Sequence, residues 1–84
     1  MTEGRKSLRV EYFARLREKS GVAAEELLTR AKNPDELLAE LVARYGFRVD
    51  MVTSRVAVND AVATWETPLH DGDRIVFLTP FGGG

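Results

Sequence analysis

The residues with the most distinctive chemistry are the last three. Gly82-Gly83-Gly84 follow directly on an apolar segment and Pro80-Phe81, with no polar spacer between them. Gly84 therefore offers a carboxylate with no side chain beside it. A run without Cβ atoms takes backbone conformations closed to other residues and can extend through a narrow channel. Such a terminus suits a chain whose last carbonyl carbon is the substrate of another protein, since side chains at the final two positions would block the approach. The plainer reading is that the glycines are a frayed tail. Elsewhere the sequence provides little for side-chain catalysis. It has no cysteine and a single histidine, His70. Disulfides, thiolate nucleophiles and cysteine metal sites are excluded, and a histidine metal centre is disfavoured. His70 beside Asp71 has the types of an acid–base pair, but a loop histidine in a turn is expected to be solvated. Glu25-Glu26 and Asp71/Asp73 show no metal-ligand arrangement.

The rest of the chain must position that terminus. Its 84 residues allow one domain, taken as 1–84, with a single small core and no deep internal active site. Apolar residues are 44% and charged residues 30%, an ordinary folded balance that argues against disorder. Twelve basic against thirteen acidic side chains give a net charge of −1, so nucleic-acid binding through a basic surface is disfavoured. No apolar run approaches the ~20 residues that span a bilayer, and no signal peptide opens the chain. A cytoplasmic protein with no membrane partner is expected.

Residues 1–7 read as a loose N-terminus. Leu8 to Phe13 alternates apolar and polar, the pattern of a strand with Leu8, Val10 and Tyr12 on the core face and Phe13 on the other with Arg9 and Glu11. Ala14 to Ser20 has strong helix formers and a stop at Gly21. Val22 to Ala31 has helical propensity, but the neighbouring elements need a strand, placed over Glu26 to Thr29. Asn33-Pro34-Asp35-Glu36 is an N-cap, a proline at the first helical position and a glutamate at the third. Leu37, Leu38, Leu41, Val42 and Tyr45 then form one stripe, and Gly46 ends the helix. Phe47 to Ser54 is a connection anchored by Phe47, Val49 and Met51. Arg55 to Asn59 reads as a strand, Asn59-Asp60 as a turn and Ala61 to Ala63 as a short return strand. Thr64 to His70 is a loop in which Trp65 caps the core. Asp71-Gly72-Asp73 is a tight turn before a last strand, Arg74 to Thr79, apolar on both faces. Residues 80–84 are a flexible glycine tail. This order gives an α+β domain, a mixed four- to five-stranded sheet packed on one main helix plus a short one. With the first and last strands parallel at the centre, it is the ubiquitin-like β-grasp.

Tyr12-Phe13-Ala14-Arg15-Leu16-Arg17-Glu18, Val56-Ala57-Val58-Asn59, Pro68-Leu69-His70-Asp71-Gly72-Asp73 and the Gly-Gly terminus resemble the small subunit of molybdopterin synthase, the MoaD type of sulfur carrier. The resemblance runs from about Leu8 to Gly84. The family commonly ends Pro-Pro, an apolar residue, a small polar residue and Gly-Gly. Here Thr79 stands at the first proline and Gly82 at the small polar position. The resemblance implies a co-substrate with no catalytic side chains and no bound cofactor. An activating enzyme would use ATP to adenylate Gly84, and sulfur from a donor would displace the adenylate to leave a thiocarboxylate. The large synthase subunit would then take that sulfur into the dithiolene of molybdopterin. Gly82, Gly83 and Phe81 would thread the partner's active site.

Strand parity supplies a partner surface. A one-helix domain covers one sheet face, so the second apolar row of the last strand is left for an interface. By the resemblance, Phe13, Val62, Leu78 and Pro80 would meet the large subunit; Arg15 or Arg17 is a candidate to pair with an acidic partner. The alternative is that Phe13 and Leu78 pack under the Phe47 to Met51 connection. Other functional readings are a carrier for thiazole, cysteine or transfer-RNA thiolation, a ubiquitin-like modifier joined through Gly84 to lysines, and a passive binding domain.

Overall fold

A computed structural model describes residues 4–80. The elements are β1 (Lys6–Glu11), α1 (Ala14–Ser20), β2 (Ala24–Thr29), α2 (Pro34–Tyr45), β3 (Arg55–Val58), β4 (Ala61–Ala63) and β5 (Arg74–Leu78). They form one five-stranded sheet in the order β2-β1-β5-β3-β4. β1 and β5 are parallel neighbours, and the remaining pairs are antiparallel. The doubly apolar last strand is thus paired on both sides, as its composition requires. This is the β-grasp arrangement.

Both helices match the sequence reading, because their ends are written locally. Asn33 Oδ1 accepts from the Glu36 backbone N–H at 2.9 Å, and Gly46 takes a left-handed φ of 73°. Glu36 reaches back to the Lys32 N–H rather than to the cap residue itself, a variant of the capping box. Gly21 closes α1 the same way, with φ of 81°. Leu37, Leu38 and Leu41 are buried, but Val42, on the edge of the stripe, is exposed.

Strand limits differ from the pattern. β1 begins at Lys6, so the N-terminal segment is ordered earlier than its polarity suggests. Long-range bonds explain this: Lys6 and Ser7 pair with Thr29 and Leu28, the Ser7 N–H donates to Asp71, and Lys6 Nζ donates to the Ala31 carbonyl. β1 ends at Glu11, and Phe13 becomes the N-cap of α1. β2 starts two residues early, at Ala24, because β1 offers it a ladder that overrides helical propensity. β3 and β5 each end one residue sooner than read, at Val58 and Leu78.

The core lies between the sheet and α2. Leu8, Val10, Tyr12, Leu27, Val56, Ile75 and Phe77 meet Leu37, Leu38 and Leu41, with Phe47 from the connection and Leu16 from α1. Each fully buried leucine stabilises the fold by about 1.5–3 kcal/mol relative to exposure. Trp65 stacks on Phe77 at 6.1 Å between ring centroids, which is the capping role expected of it. Among the described residues no helix is long and apolar enough to cross a membrane.

Candidate functional site

The tail residues Phe81, Gly82, Gly83 and Gly84 lie outside the described residues. The structure does define the root from which they leave. β5 is held by β1 on one side and β3 on the other, and its last pair is Leu78 with Arg55. Thr79 and half-buried Pro80 follow.

One face of the sheet has no helix on it. The ladder registers align Ala24, Glu11, Val76, Ala57 and Val62 in a single row across all five strands of that face. The next row toward the tail holds Leu78 and Arg55. Phe13, two residues beyond Glu11, continues the same parity at the end of β1. Phe13 is 56% exposed, Val62 71% and Leu78 44%. All three lie on the open face: Phe13 and Leu78 are level with each other at its tail end, and Val62 stands one row back on the edge strand. The alternative, that Phe13 and Leu78 are covered by the α2–β3 connection, fails because that connection packs on the opposite side. Phe47 stacks against Tyr45 and meets Tyr12 edge-on at 5.5 Å, and Val49 and Met51 pack on the core.

The way Phe13 reaches the open face is local. Its backbone is extended, and Ala14 behind it takes φ of 49°, a left-handed conformation that costs a non-glycine residue of order 1 kcal/mol. The Phe13 carbonyl then accepts from the Leu16 and Arg17 N–H groups and starts α1. The kink turns the chain into the helix while leaving the aromatic ring outside the core.

Charges on this face gather away from the tail. Glu11 Oε2 lies 3.6 Å from both the Arg9 and Arg74 guanidinium Nε atoms, and Arg74 also pairs with Asp60. At the tail end Arg55 turns its guanidinium back, donating to the Ser54 carbonyl at 2.8 Å and the Val52 carbonyl at 3.2 Å. Arg15 and Arg17 are exposed on α1.

The Asp-Gly-Asp turn has a structural use. Asp73 accepts from the Asn59 side chain at 2.9 Å and from the His70 N–H at 2.8 Å, tying the β3–β4 turn to the start of β5. The His70 side chain is 78% exposed and 3.9 Å from Asp73, a solvated group as expected. Among the described residues no cluster of His, Cys, Asp or Glu could hold a metal ion.

Two polar features carried no signal in the sequence. Glu25 Oε2 accepts from both the Tyr12 and Tyr45 hydroxyls at 2.6 Å. Burial pushes the Tyr12 phenol far above its ordinary value, with Glu25 adding to it, and donation to Glu25 raises Tyr45. The second is Ser54, fully buried with its hydroxyl unpartnered among the described residues. Both depend on contacts between distant elements, which no local pattern records.

Comparison with known proteins gives four findings. A family model described as the ThiS family matches residues 10–84. The molybdopterin synthase sulfur carrier subunit of Escherichia coli (strain K12) is 29% identical over 80 residues, covering 92% of this chain and 99% of that protein. Among solved structures, the protein–protein complex of subunits 1 and 2 of molybdopterin-converting factor from Helicobacter pylori 26695 matches at 30% identity and a TM-score of 0.60, over 93% of this chain and 99% of that one. The small archaeal modifier protein 1 of Methanosarcina acetivorans matches at 23% identity and a TM-score of 0.74, over 95% and 98%, a likeness of fold.

Proposed function

The chain belongs to the ThiS family, and on that premise we propose that this sulfur carrier acts as the small subunit of a molybdopterin synthase. The Gly84 carboxylate attacks the α-phosphorus of ATP in an activating enzyme, and pyrophosphate leaves. A sulfide-level donor then attacks the carbonyl carbon, AMP leaves, and a thiocarboxylate remains. The large subunit receives that nucleophilic sulfur at a cyclic pyranopterin and builds the dithiolene. The carrier contributes the acyl group and the docking surface, and the partners contribute the catalytic side chains.

One observation carries the reading. The sheet face without a helix presents Phe13, Val62 and Leu78 together, and Leu78 leads through Thr79-Pro80 into the glycine terminus. Docking of that face would set the terminus at a partner's active site. The H. pylori complex of subunits 1 and 2 supports a large-subunit partner. The terminal departures at Thr79 and Gly82 leave thiazole synthesis, cysteine synthesis and transfer-RNA thiolation as rival acceptors. A modifier reading draws on the same terminus and on the fold shared with the archaeal modifier.

Intact mass tests this directly. The untagged protein is measured before and after incubation with its activating enzyme, ATP and a sulfide source. Replacement of one oxygen by sulfur on the Gly83-Gly84 fragment is expected, followed by its loss when the large subunit and pyranopterin are added. An active enzyme that leaves the mass unchanged would overturn carrier chemistry. Adducts joining Gly84 to lysines would establish the modifier reading. A carrier that charges but never discharges to pyranopterin would move the assignment to another acceptor.

A further inference from the structure

Among the described residues, the open sheet face carries one charge at its tail end. Arg55 and Leu78 are direct partners across the β3–β5 ladder, and Arg55 has the parity of Ala57, whose row lies on the face without a helix. Directly opposed side chains on one sheet face have Cβ atoms about 4.5–5.5 Å apart. A protein that covers Leu78 therefore covers Arg55 as well. The other charges described above on this face stand further from the tail and offset one another, Glu11 with Arg9 and Arg74, and Arg74 with Asp60. Arg55 has no ion pair among the described residues.

The guanidinium of Arg55 is already held in place. Its Nη1 donates to the Ser54 carbonyl at 2.8 Å and to the Val52 carbonyl at 3.2 Å, which uses both protons of that nitrogen. The turn it grips is itself bonded, since the Val52 N–H donates to the Asp50 carboxylate and the Ser54 N–H to the Asp50 carbonyl. Swinging the long side chain away from a docked protein would break both guanidinium bonds. Nε and Nη2 have no partner among the described residues. They form one edge of a planar fork whose parallel N–H groups match the two oxygens of a carboxylate. Arg55 is exposed in the free chain, unlike the buried Ser54 and Val56 that flank it.

Covering Leu78 while leaving this cation without a counter-charge would strip it of water and weaken the complex. The covering surface must therefore carry an anion at that point. We propose that Arg55 is a specificity-determining residue of the docking face: the large synthase subunit sets an aspartate or glutamate carboxylate against the Nε–Nη2 edge, beside the apolar site that takes Leu78. The apolar row supplies contact area, and the fork accepts its carboxylate in one orientation, which fixes the register of docking at the root of the tail. The neighbouring helix α1 adds exposed Arg15, Arg17 and Lys19 against Glu18, so the approach of an acidic surface is favoured from that side too. This rests on the small-subunit reading and adds to it the chemistry of the partner's surface.

The test is calorimetric titration of the full chain with the large subunit, using three substitutions at one position. Arg55→Lys keeps the charge and loses the fork, Arg55→Met removes the charge and keeps a long stem, and Arg55→Glu reverses the charge. Arg55→Met should weaken binding at least about tenfold, the effect of one charged hydrogen-bonded pair. Arg55→Lys should fall between it and the wild type, and Arg55→Glu should be weaker than both. All three lose the fork that grips the Val52 turn, so a merely structural role would weaken them alike. Equal losses in the three variants would therefore overturn the pairing. Binding by Arg55→Met as tight as the wild type, or tighter, would show that the guanidinium meets no carboxylate and would also overturn it. Either result, with the wild type still binding, spares the small-subunit reading. A wild-type chain that gains sulfur but does not bind the large subunit would overturn that reading first, and the pairing with it.

Discussion

Val62→Asp separates association from folding more cleanly than any other change on the open face. Val62 is 71% exposed in β4, a three-residue edge strand, so the free fold gains little from its side chain. The expected effect on stability is below about 1 kcal/mol. Burying a whole valine is worth about 1.5–3 kcal/mol, so a partner covering that 71% would gain about 1–2 kcal/mol from it. An aspartate loses that gain and leaves a polar group stranded against apolar surface, a further penalty of about 1–3 kcal/mol. A combined loss of about 3 kcal/mol weakens the dissociation constant about a hundredfold. The assay is calorimetric titration with the large synthase subunit, beside thermal melts of the free chain. Leu28→Asp is the control: Leu28 is 56% exposed on the same sheet face but pairs with Ser7, about 20 Å along the strand from Phe13. It should bind as the wild type does. Unchanged affinity for Val62→Asp, or an equal loss for Leu28→Asp, would refute the placement of the interface.

Other consequences can be checked separately. Adding one residue after Gly84 should leave the melting temperature unchanged and abolish sulfur gain by intact mass; a normal gain would mean the terminal carboxylate is not the reacting group. Leu41→Ala, at a fully buried position in α2, should cost about 2–5 kcal/mol in denaturant unfolding, and a loss below about 1 kcal/mol would show that the helix stripe is not core. Stability should also fall in alkali. The Tyr12 phenol is raised in the folded state above its ordinary 10.0, so its stabilising contribution is complete below pH 10.0 and is lost as pH rises beyond it. Tyr12→Phe should flatten that alkaline slope in denaturant melts, and an unchanged slope would show that the phenol contributes nothing to it.

The parts legible from sequence are those whose cause is local. Asn33, Pro34, Gly46 and Gly21 act within one turn of themselves, and α1 and α2 have the limits their caps dictate. The inner face of β1 follows from alternation alone, since Leu8 and Val10 are its apolar residues of period two, whereas β5 is apolar on both faces and only its pairing sets Ile75 and Phe77 inward. β2 was harder. Ala24 to Leu28 has the composition of a helix, and only pairing with β1 makes it a strand. The early start of β1 has the same origin, because Lys6 and Ser7 are ordered by Ala31 and Asp71, far away in sequence. For the site, the side on which Phe13, Val62 and Leu78 fall follows from parity. Ser54 does not: a small polar residue in a connection reads as surface, and its burial arises from where Thr79 and the connection meet.

On the proposed carrier function, the paired root and the short tail make reach, as well as a glycine terminus, a determinant of the reaction. β5 is paired with β1 as far as Val76 and with β3 as far as Leu78, so the point from which the tail starts is fixed in the sheet. A partner docked on the open face then meets the carboxylate at a distance set by the residues beyond Pro80. Deleting Gly83 keeps a C-terminal glycine carboxylate and the whole folded domain, but it shortens the reach by about 3.5 Å. A misplacement of only about 1 Å can cost a hundredfold in rate when a reacting group is held by its positioning. The shortened protein should therefore bind the activating enzyme and the large subunit through the sheet face with little loss. Its sulfur gain in single-turnover mass assays should slow by at least about a hundredfold. Sulfur gain at the wild-type rate would show that the partner follows the terminus wherever it lies, and the fixed root would then have no part in delivery.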